Sequence, residues 1–234
     1  VIVSANYNKD QVGQSFRAME AGALAIVEKP PGIGHADYER SAQDLTRTVK
    51  LMSEVSVVRR WRKTRRLPLA PREPSLDARS VKAVLIGAST GGPPVLQTVL
   101  SGFHAGFPAP ILVVQHISKG FIEGMLEWLG AAISLPVSLA RDGERALPGR
   151  VYFAPDDHHM GIDASGRFFL SMDAPENGIR PSISFLFRSA LASYGAEVVA
   201  VLLTGMGKDG AEEMKRIRDA GGVTIIQDKE SSVV

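Results

Sequence analysis

Residues 81–100 read VKAVLIGASTGGPPVLQTVL, and this stretch decides the fold. The apolar run at 81–86 predicts a buried strand. Pro93 and Pro94 suit the first turn of a helix, which we predict over residues 94–100. Between them lies a glycine-rich turn, Gly87-Ala88-Ser89-Thr90-Gly91-Gly92. A strand, a tight turn and a helix in this order indicate one unit of a parallel α/β sheet.

The chain from residue 81 onward repeats this pattern. Apolar runs at 111–114, 198–203 and 223–226 predict further buried strands, with helical segments such as 211–219 between them. Residues 151–153, 160–162 and 167–170 predict shorter strands, and the turn at 163–166 joins the last two as a hairpin. We therefore predict an α/β domain over 81–234, with a mostly parallel doubly wound (Rossmann-like) sheet and a small antiparallel excursion.

The first 80 residues form a separate region in this interpretation. Residues 1–29 predict a strand, a helix and a strand, and a longer helix follows over 38–58. The basic run Arg59–Arg66 and three prolines then predict an extended linker over 59–80, because proline fixes φ and lacks an amide donor. The basic run is interpreted as a solvated end of the linker rather than as a nucleic-acid site. The chain begins with Val1 and stops without a terminal element, so we expect a fragment of a longer protein.

Composition excludes several functions. Of 234 residues, 44% are hydrophobic and 22% are charged, which is ordinary for a globular protein. The net charge of +2 gives no overall field for nucleic acid, and the absence of cysteine excludes disulfides and thiolate nucleophiles. No apolar run reaches the length of about 18 residues that spans a bilayer, and no signal segment opens the chain. We expect a cytoplasmic protein without membrane insertion.

Ser89 is the first candidate for chemistry. It would stand at the carboxyl end of a strand, beside a helix N-terminus whose free amides favour negative charge. A serine placed there suits nucleophilic attack, because the oxyanion would form near those amides. A serine that only caps the helix explains the same residues, and the short pattern G-x-S-x-G also occurs by chance.

His116 and Asp209 could complete a catalytic set with Ser89. His116 ends the strand at 111–115, and Asp209 lies in the loop Thr204-Gly205-Met206-Gly207-Lys208-Asp209-Gly210 after another strand. The carboxyl ends of parallel strands line one crevice, so an imidazole base and an orienting carboxylate would meet the hydroxyl there. The alternatives are a surface-loop histidine and an aspartate that caps the helix beginning at Ala211.

Other interpretations use different residues. In an α/β-hydrolase the chain order is Ser, Asp, His, which would require His158 or His159 as base and an acid from Asp142, Asp156 or Asp157. The run Asp156-Asp157-His158-His159 also suggests a metal site, although neighbouring strand residues point to opposite faces. We predict no metal and no cofactor. A nucleotide-binding module and a noncatalytic interaction protein remain as alternative classes.

The chain resembles the chemotaxis response-regulator protein-glutamate methylesterases, the CheB family. The resemblance is carried by the nucleophile loop 87–92, the pair Gln115-His116 and the aspartate loop 205–211. Ala154-Pro155, His159-Met160 and Arg180-Pro181-Ser182 also match family signatures. Several ordered motifs at family spacing cover nearly all of the chain.

The resemblance implies a function and roles for named residues. Ser89 would be the nucleophile, His116 the general base and acid, and Asp209 the orienting carboxylate, with the amides of Thr90 and Met206 as oxyanion hole. The substrates would be glutamate methyl esters on the cytoplasmic helices of chemoreceptors. Deamidation of selected glutamines would pass through the same acyl-enzyme.

The resemblance also assigns residues 1–58 to the second half of a flavodoxin-like receiver domain. Ser4 would match the strand-end hydroxyl of receivers, and Lys29 the lysine of their Lys-Pro pair. In the family, a chemotaxis histidine kinase phosphorylates an aspartate upstream of this point, and the receiver covers the esterase cleft until then. That aspartate is absent here, so we expect that phosphoryl regulation does not operate in this chain.

Overall fold

The computed structural model of the protein describes residues 2–4, 9–53 and 81–232. The N-terminal part consists of β1 (Ile2–Ser4), α1 (Lys9–Glu20), β2 (Ile26–Glu28) and α2 (Tyr38–Ser53). β1 and β2 pair in parallel with Ser4 opposite Glu28, so Ser4 and Lys29 occupy the carboxyl ends of paired strands. The end of the predicted long helix, the predicted linker and Arg59–Arg66 lie outside the described residues.

The rest of the described chain forms an α/β domain. Its elements in order are β3 (Ala83–Ala88), α3 (Gly92–Leu100), β4 (Ile111–Gln115), α4 (Ile122–Gly130), β5 (Val137–Leu139), β6 (Val151–Phe153), β7 (His159–Ile162), β8 (Phe168–Ser171), α5 (Ile183–Tyr194), β9 (Val198–Leu202), α6 (Ala211–Asp219) and β10 (Val223–Ile226). Six strands form one sheet in the order β10-β9-β3-β4-β6-β5, and every pair within it is parallel. β7 and β8 form a separate antiparallel pair. The mostly parallel sheet with an antiparallel excursion is confirmed.

Side chains that alternate along β3 enter two apolar layers. Val84 and Ile86 pack on one face of the sheet among residues of α3 and α4, whereas Ala83 and Leu85 pack on the other among residues of α5 and α6. All four are at most 6% exposed. A strand buried on both faces reads as a continuous apolar run, which is why the sequence predicts β3 so clearly.

The N-terminal part packs directly on this domain. Phe16 of α1 is 0% exposed, and its ring stacks on Trp128 of α4 with centroids 5.4 Å apart. Met19 and Ile26 belong to the same apolar cluster as the α3 and α4 side of the sheet. The hydroxyl of Ser118 donates to the carbonyl of Ile26 at 3.3 Å. The N-terminal part therefore contributes to the core on this face.

No helix among residues 2–4, 9–53 and 81–232 is long and apolar enough to cross a membrane.

Candidate active site

Ser89 and His116 follow neighbouring strands at the same level of the sheet. In the parallel pair of β3 and β4, Ala88 lies opposite Gln115, so the next residues are Ser89 and His116. The amide of His116 donates to the carbonyl of Ala88 at 2.9 Å. β9 flanks β3 on the other side and leads toward the loop that carries Asp209. The three predicted side chains thus come from the carboxyl ends of three adjacent strands.

The turn that carries Ser89 is fixed against the loop after β9. The amide of Ser89 donates to the carbonyl of Thr204 at 3.0 Å, and the hydroxyl of Thr204 donates to the carbonyl of Thr90 at 3.1 Å. Gly205 passes so close that a Cβ on it would lie 2.7 Å from the Cβ of Ser89. Gly91 has φ 77°, a left-handed conformation that favours glycine, and it forms the N-cap of α3. Backbone geometry therefore sets the position of Ser89.

His116 lies against Asp209. Its Nε2 is 3.0 Å from Oδ2 of Asp209, and the two side chains are 14% and 5% exposed. The ring nitrogen meets the oxygen in distance but not in the angle of a hydrogen bond. Since Nε2 faces the carboxylate, Nδ1 is the ring nitrogen that remains for another partner.

Asp209 is bound by the N-terminus of α5. Its Oδ2 accepts from the amide of Ile183 at 2.7 Å, and its Oδ1 accepts from the amide of Ser184 and the hydroxyl of Ser182, each at 2.9 Å. In return, the hydroxyl of Ser184 accepts from the amide of Gly210 at 2.8 Å. The predicted alternative, a cap on the helix at Ala211, is wrong: Gly210 is the N-cap of α6 and no side chain caps it, and the aspartate caps α5 instead.

This environment keeps Asp209 ionised. Burial would raise the pKa of its carboxyl, but the approach of His116 and the amides of Ser184 and Ile183 outweigh burial and hold the pKa well below its usual range. A helix N-terminus adds a favourable field for the negative charge. The site therefore sets a permanent anion beside the imidazole of His116.

Sequence reasoning did not identify the residues behind Asp209. Ser182 is the N-cap of α5 and is 0% exposed, and its amide donates to Nδ1 of His159 at 3.1 Å. The ring of His159 is also fully buried, stacks on Phe185 with centroids 4.7 Å apart, and has Nε2 3.3 Å from the carbonyl of Ala174. The signals in the sequence for this support were the motifs His159-Met160 and Arg180-Pro181-Ser182.

The residues of the alternative α/β-hydrolase interpretation have other partners. Both ring nitrogens of His159 are engaged, as described above, so it is not placed as a base. Asp157 pairs with Lys119, and Asp156 accepts from the amide of Gly120 at 2.7 Å while burial raises the pKa of its carboxyl. No group of three or more metal-binding side chains occurs among the residues that the structure describes.

A cleft of about 840 Å³ continues the carboxyl edge beyond His116. It lies at the ends of β5 and β6, where Arg141, Asp142, Asp156 and His158 supply charged and polar groups. Gly120, on the loop that follows His116, also lines this cleft. Ser89, His116 and Asp209 do not line this cleft, which lies to one side of them along the carboxyl edge of the sheet.

A serine, a histidine and an ionised aspartate at the carboxyl edge of a parallel sheet are the residue types that serine hydrolases use. Comparison with known proteins places the chain more narrowly. The profile of the CheB methylesterase family matches residues 84–234. The chain belongs to the CheB methylesterase family.

Individual relatives agree with this placement. The protein-glutamate methylesterase/protein-glutamine glutaminase 4 of Geobacter metallireducens is 50% identical over 238 residues, which cover 100% of this chain and 68% of the relative. A protein of the corresponding name from Nitrosospira multiformis is 50% identical, with 67% of its length covered. The crystal structure of the Thermotoga maritima CheB methylesterase catalytic domain superposes with a TM-score of 0.64 at 42% identity, over 66% of this chain and 83% of that chain.

Proposed function

We propose that this chain hydrolyses the methyl esters of glutamate side chains on chemoreceptors, with Ser89 as nucleophile, His116 as general base and acid, and Asp209 as the orienting carboxylate. The contact of 3.0 Å between His116 and Asp209 carries this proposal, together with the place of Ser89 at the same level of the neighbouring strand. Membership of the CheB methylesterase family and the names of the relatives supply the substrate class.

The first half of the reaction forms an acyl-enzyme. The hydroxyl oxygen of Ser89 attacks the ester carbonyl, and its proton passes to Nδ1 of His116, the nitrogen that does not face Asp209. The tetrahedral intermediate then collapses, the bond from carbon to methoxy oxygen breaks, and His116 returns the proton so that methanol leaves. Water attacks the acyl-enzyme with the same proton transfers, which restores Ser89 and leaves a glutamate carboxylate.

The oxyanion would be stabilised by the amides of Thr90 and Met206. Among the described residues, neither amide donates a hydrogen bond to another backbone or side-chain group. Thr90 also lies just before the N-terminus of α3, where the helix dipole favours negative charge. Donors that are already oriented toward the developing charge lower the barrier without reorganisation.

Asp209 acts on the imidazole rather than on the substrate. Its depressed pKa makes it a poor proton acceptor, so it stays a carboxylate while His116 gains and loses the proton. Its negative charge at 3.0 Å stabilises the imidazolium that forms during attack. The amides of α5 keep the carboxylate in one position through both steps.

Glutamine deamidation is a second activity of the same site. The relatives carry protein-glutamine glutaminase in their names. An amide substrate would give the same acyl-enzyme: His116 would protonate the amide nitrogen, the bond from carbon to nitrogen would break, and ammonia would leave instead of methanol. The two reactions therefore share Ser89, His116 and Asp209 and differ only in the group that leaves.

The partners follow from the same proposal. The substrate would be the methylated cytoplasmic helices of chemoreceptors, which places the protein in the cytoplasm. Residues 1–58 would belong to a receiver domain, with Ser4 and Lys29 at the carboxyl ends of its paired strands. A chemotaxis histidine kinase would phosphorylate the complete receiver.

Release of methanol from a methylated receptor fragment tests the proposal. The wild-type chain should release methanol, and Ser89→Ala should reduce kcat by about 10⁴-fold or more, by analogy with other serine triads. Circular dichroism should be the same for both proteins, because the substitution removes one oxygen atom from a half-buried side chain. Ammonia release from the unmethylated glutamine form tests the second activity. Equal methanol release by the two proteins would refute the proposed function.

A further inference from the structure

Gln115 joins the backbones of the two residues that would exchange the proton. It ends β4 and is 4% exposed. Its Nε2 lies 2.9 Å from the carbonyl oxygen of Ser89 and 2.8 Å from that of His116. A side-chain amide carries two hydrogens, so one nitrogen satisfies both carbonyls at once.

This bridge occurs where the sheet no longer joins the two strands. β3 ends at Ala88 and β4 at Gln115, and the amide of His116 makes its bond to the carbonyl of Ala88 at that level. Beyond this level, the backbone after β3 turns into α3, and the backbone after β4 enters the loop toward α4. The side chain of Gln115 supplies the next cross-connection, between the carbonyls of Ser89 and His116.

We propose that Gln115 is a positioning residue that sets the nucleophile Ser89 relative to the base His116. This inference rests on the proposed function for the identity of those two groups. Gln115 does not touch the reacting atoms in this scheme. It acts through its hydrogen bonds to the backbone carbonyls of Ser89 and His116. A small displacement of a nucleophile from its base lowers the rate steeply, so the bridge contributes to kcat.

The orientation of the amide supports this assignment. Oε1 of Gln115 is buried and has no donor among the described residues. Turning the amide over would place Oε1 against the carbonyl oxygens of Ser89 and His116, where both partners are acceptors. A buried acceptor without a donor is unfavourable, so the two donated hydrogen bonds must outweigh it.

Gly92 provides the space that the bridge needs. A Cβ on Gly92 would lie 2.1 Å from Oε1 of Gln115 and 2.9 Å from the Cβ of Ala88. Gly92 does not adopt a left-handed φ, so alanine suits its backbone and the obstacle is steric. Gly92→Ala would therefore displace the amide of Gln115 without changing that residue, but it would also press on Ala88 next to Ser89, so it serves only as a supporting perturbation.

The test compares Gln115→Met, which keeps the length of the side chain without its donors, with Gly92→Ala. Val113→Ala is the matched control, because Val113 lies on the same strand and is 0% exposed but contacts neither carbonyl. The readouts are kcat and KM for methanol release, the rate at which a fluorophosphonate labels Ser89, and the melting temperature.

Gln115→Met and Gly92→Ala should each lower kcat and the labelling rate by about 10- to 100-fold and leave KM within about twofold. Val113→Ala should lower the melting temperature and keep both rates. If Gln115→Met does not fold, Gln115→Leu, which also lacks the amide donors, takes its place in the comparison. Rates within about twofold of wild type in a folded Gln115→Met, or an equal loss in Val113→Ala, would overturn the proposal.

The two readouts separate the inference from the proposed function. Fluorophosphonate labelling needs no receptor, so it reports on Ser89 and His116 alone. Labelling of the wild type without methanol release would mean that the proposed substrate is wrong. The ratio of labelling rates between wild type and variants would then still decide the role of Gln115.

Discussion

Gly205→Ala should disable the site by pushing on the nucleophile. A Cβ at this position would lie 2.7 Å from the Cβ of Ser89, whereas its distances to the nitrogen and Cα of Ser89, 3.4 and 3.5 Å, are ordinary contacts. Gly205 does not adopt a left-handed φ, so the added methyl group causes no strain in its own backbone. The predicted effect therefore comes from one contact, with the side chain of Ser89.

The size of the effect follows from the overlap. Carbon atoms pack at about 3.5 Å or more, so Ser89 and the loop at Gly205 must separate by about 0.7–0.8 Å. A misplacement of about 1 Å costs up to about 100-fold in rate. We expect kcat to fall between about 10-fold and 100-fold, equivalent to about 1.4–2.7 kcal/mol in the activation barrier.

The assay is methanol release under saturating receptor fragment, together with thermal unfolding. Gly130→Ala is the control, because Gly130 ends α4 and an added Cβ there would meet no atom within 4 Å. The control should keep kcat and stability. A folded Gly205→Ala with kcat within about twofold of wild type would show that the close approach to Ser89 does not position the nucleophile.

Two further predictions concern the fold as well as the site. Asp209→Asn should lower kcat, and it should also change how stability depends on pH. The native pKa of Asp209 lies below its unfolded value of about 4, so its stabilising contribution is complete above that pH and is lost as the pH falls. Urea unfolding should therefore show a larger gap between wild type and Asp209→Asn at pH 7 than at pH 3, and an equal gap would contradict the assignment. Phe16→Ala should lower the free energy of unfolding by about 3 kcal/mol, since it removes a buried ring stacked on Trp128. An unchanged urea midpoint would mean that α1 does not contribute to the core.

The main strands were predictable because they are buried on both faces. A strand such as β4, all of whose residues are buried, stands out as an apolar run between turn residues. β5 was missed because Val137–Leu139 is only three residues long and half-buried, so it lacks that contrast. The helix that the sequence predicts within residues 1–29 runs from Lys9 to Glu20, and its start was not predictable because its first turns carry few apolar residues.

The candidate residues were predictable from their place in the chain, but their partners were not. Ser89, His116 and Asp209 each follow a strand, and the carboxyl ends of parallel strands share one edge. The acceptor role of Asp209 depends on Ser184, which is 25 residues away in sequence. A local rule assigned its carboxylate to the nearer helix, and only the packing of α5 against the loop shows the actual donors.

His159 is a residue whose role the sequence could not show. In the sequence it stands beside Asp157 and His158 and suggests a metal ligand or a base. In the fold it is fully buried, and its ring accepts from the amide of Ser182. Burial and the choice of hydrogen-bond partner are tertiary properties, so a cluster of titratable residues in sequence does not by itself indicate a site.

The capping of α5 by Asp209 bears on which catalytic residue a descendant of this enzyme could lose while it keeps the fold. Under the proposed function, losing the Ser89 hydroxyl would abolish the chemistry and leave the amides of Ile183 and Ser184 with their acceptor. Losing the Asp209 carboxylate would deprive the amides of Ile183 and Ser184 of their acceptor, so architecture and activity would suffer together. A pseudoenzyme descended from this protein should therefore retain Asp209 after Ser89 has been replaced.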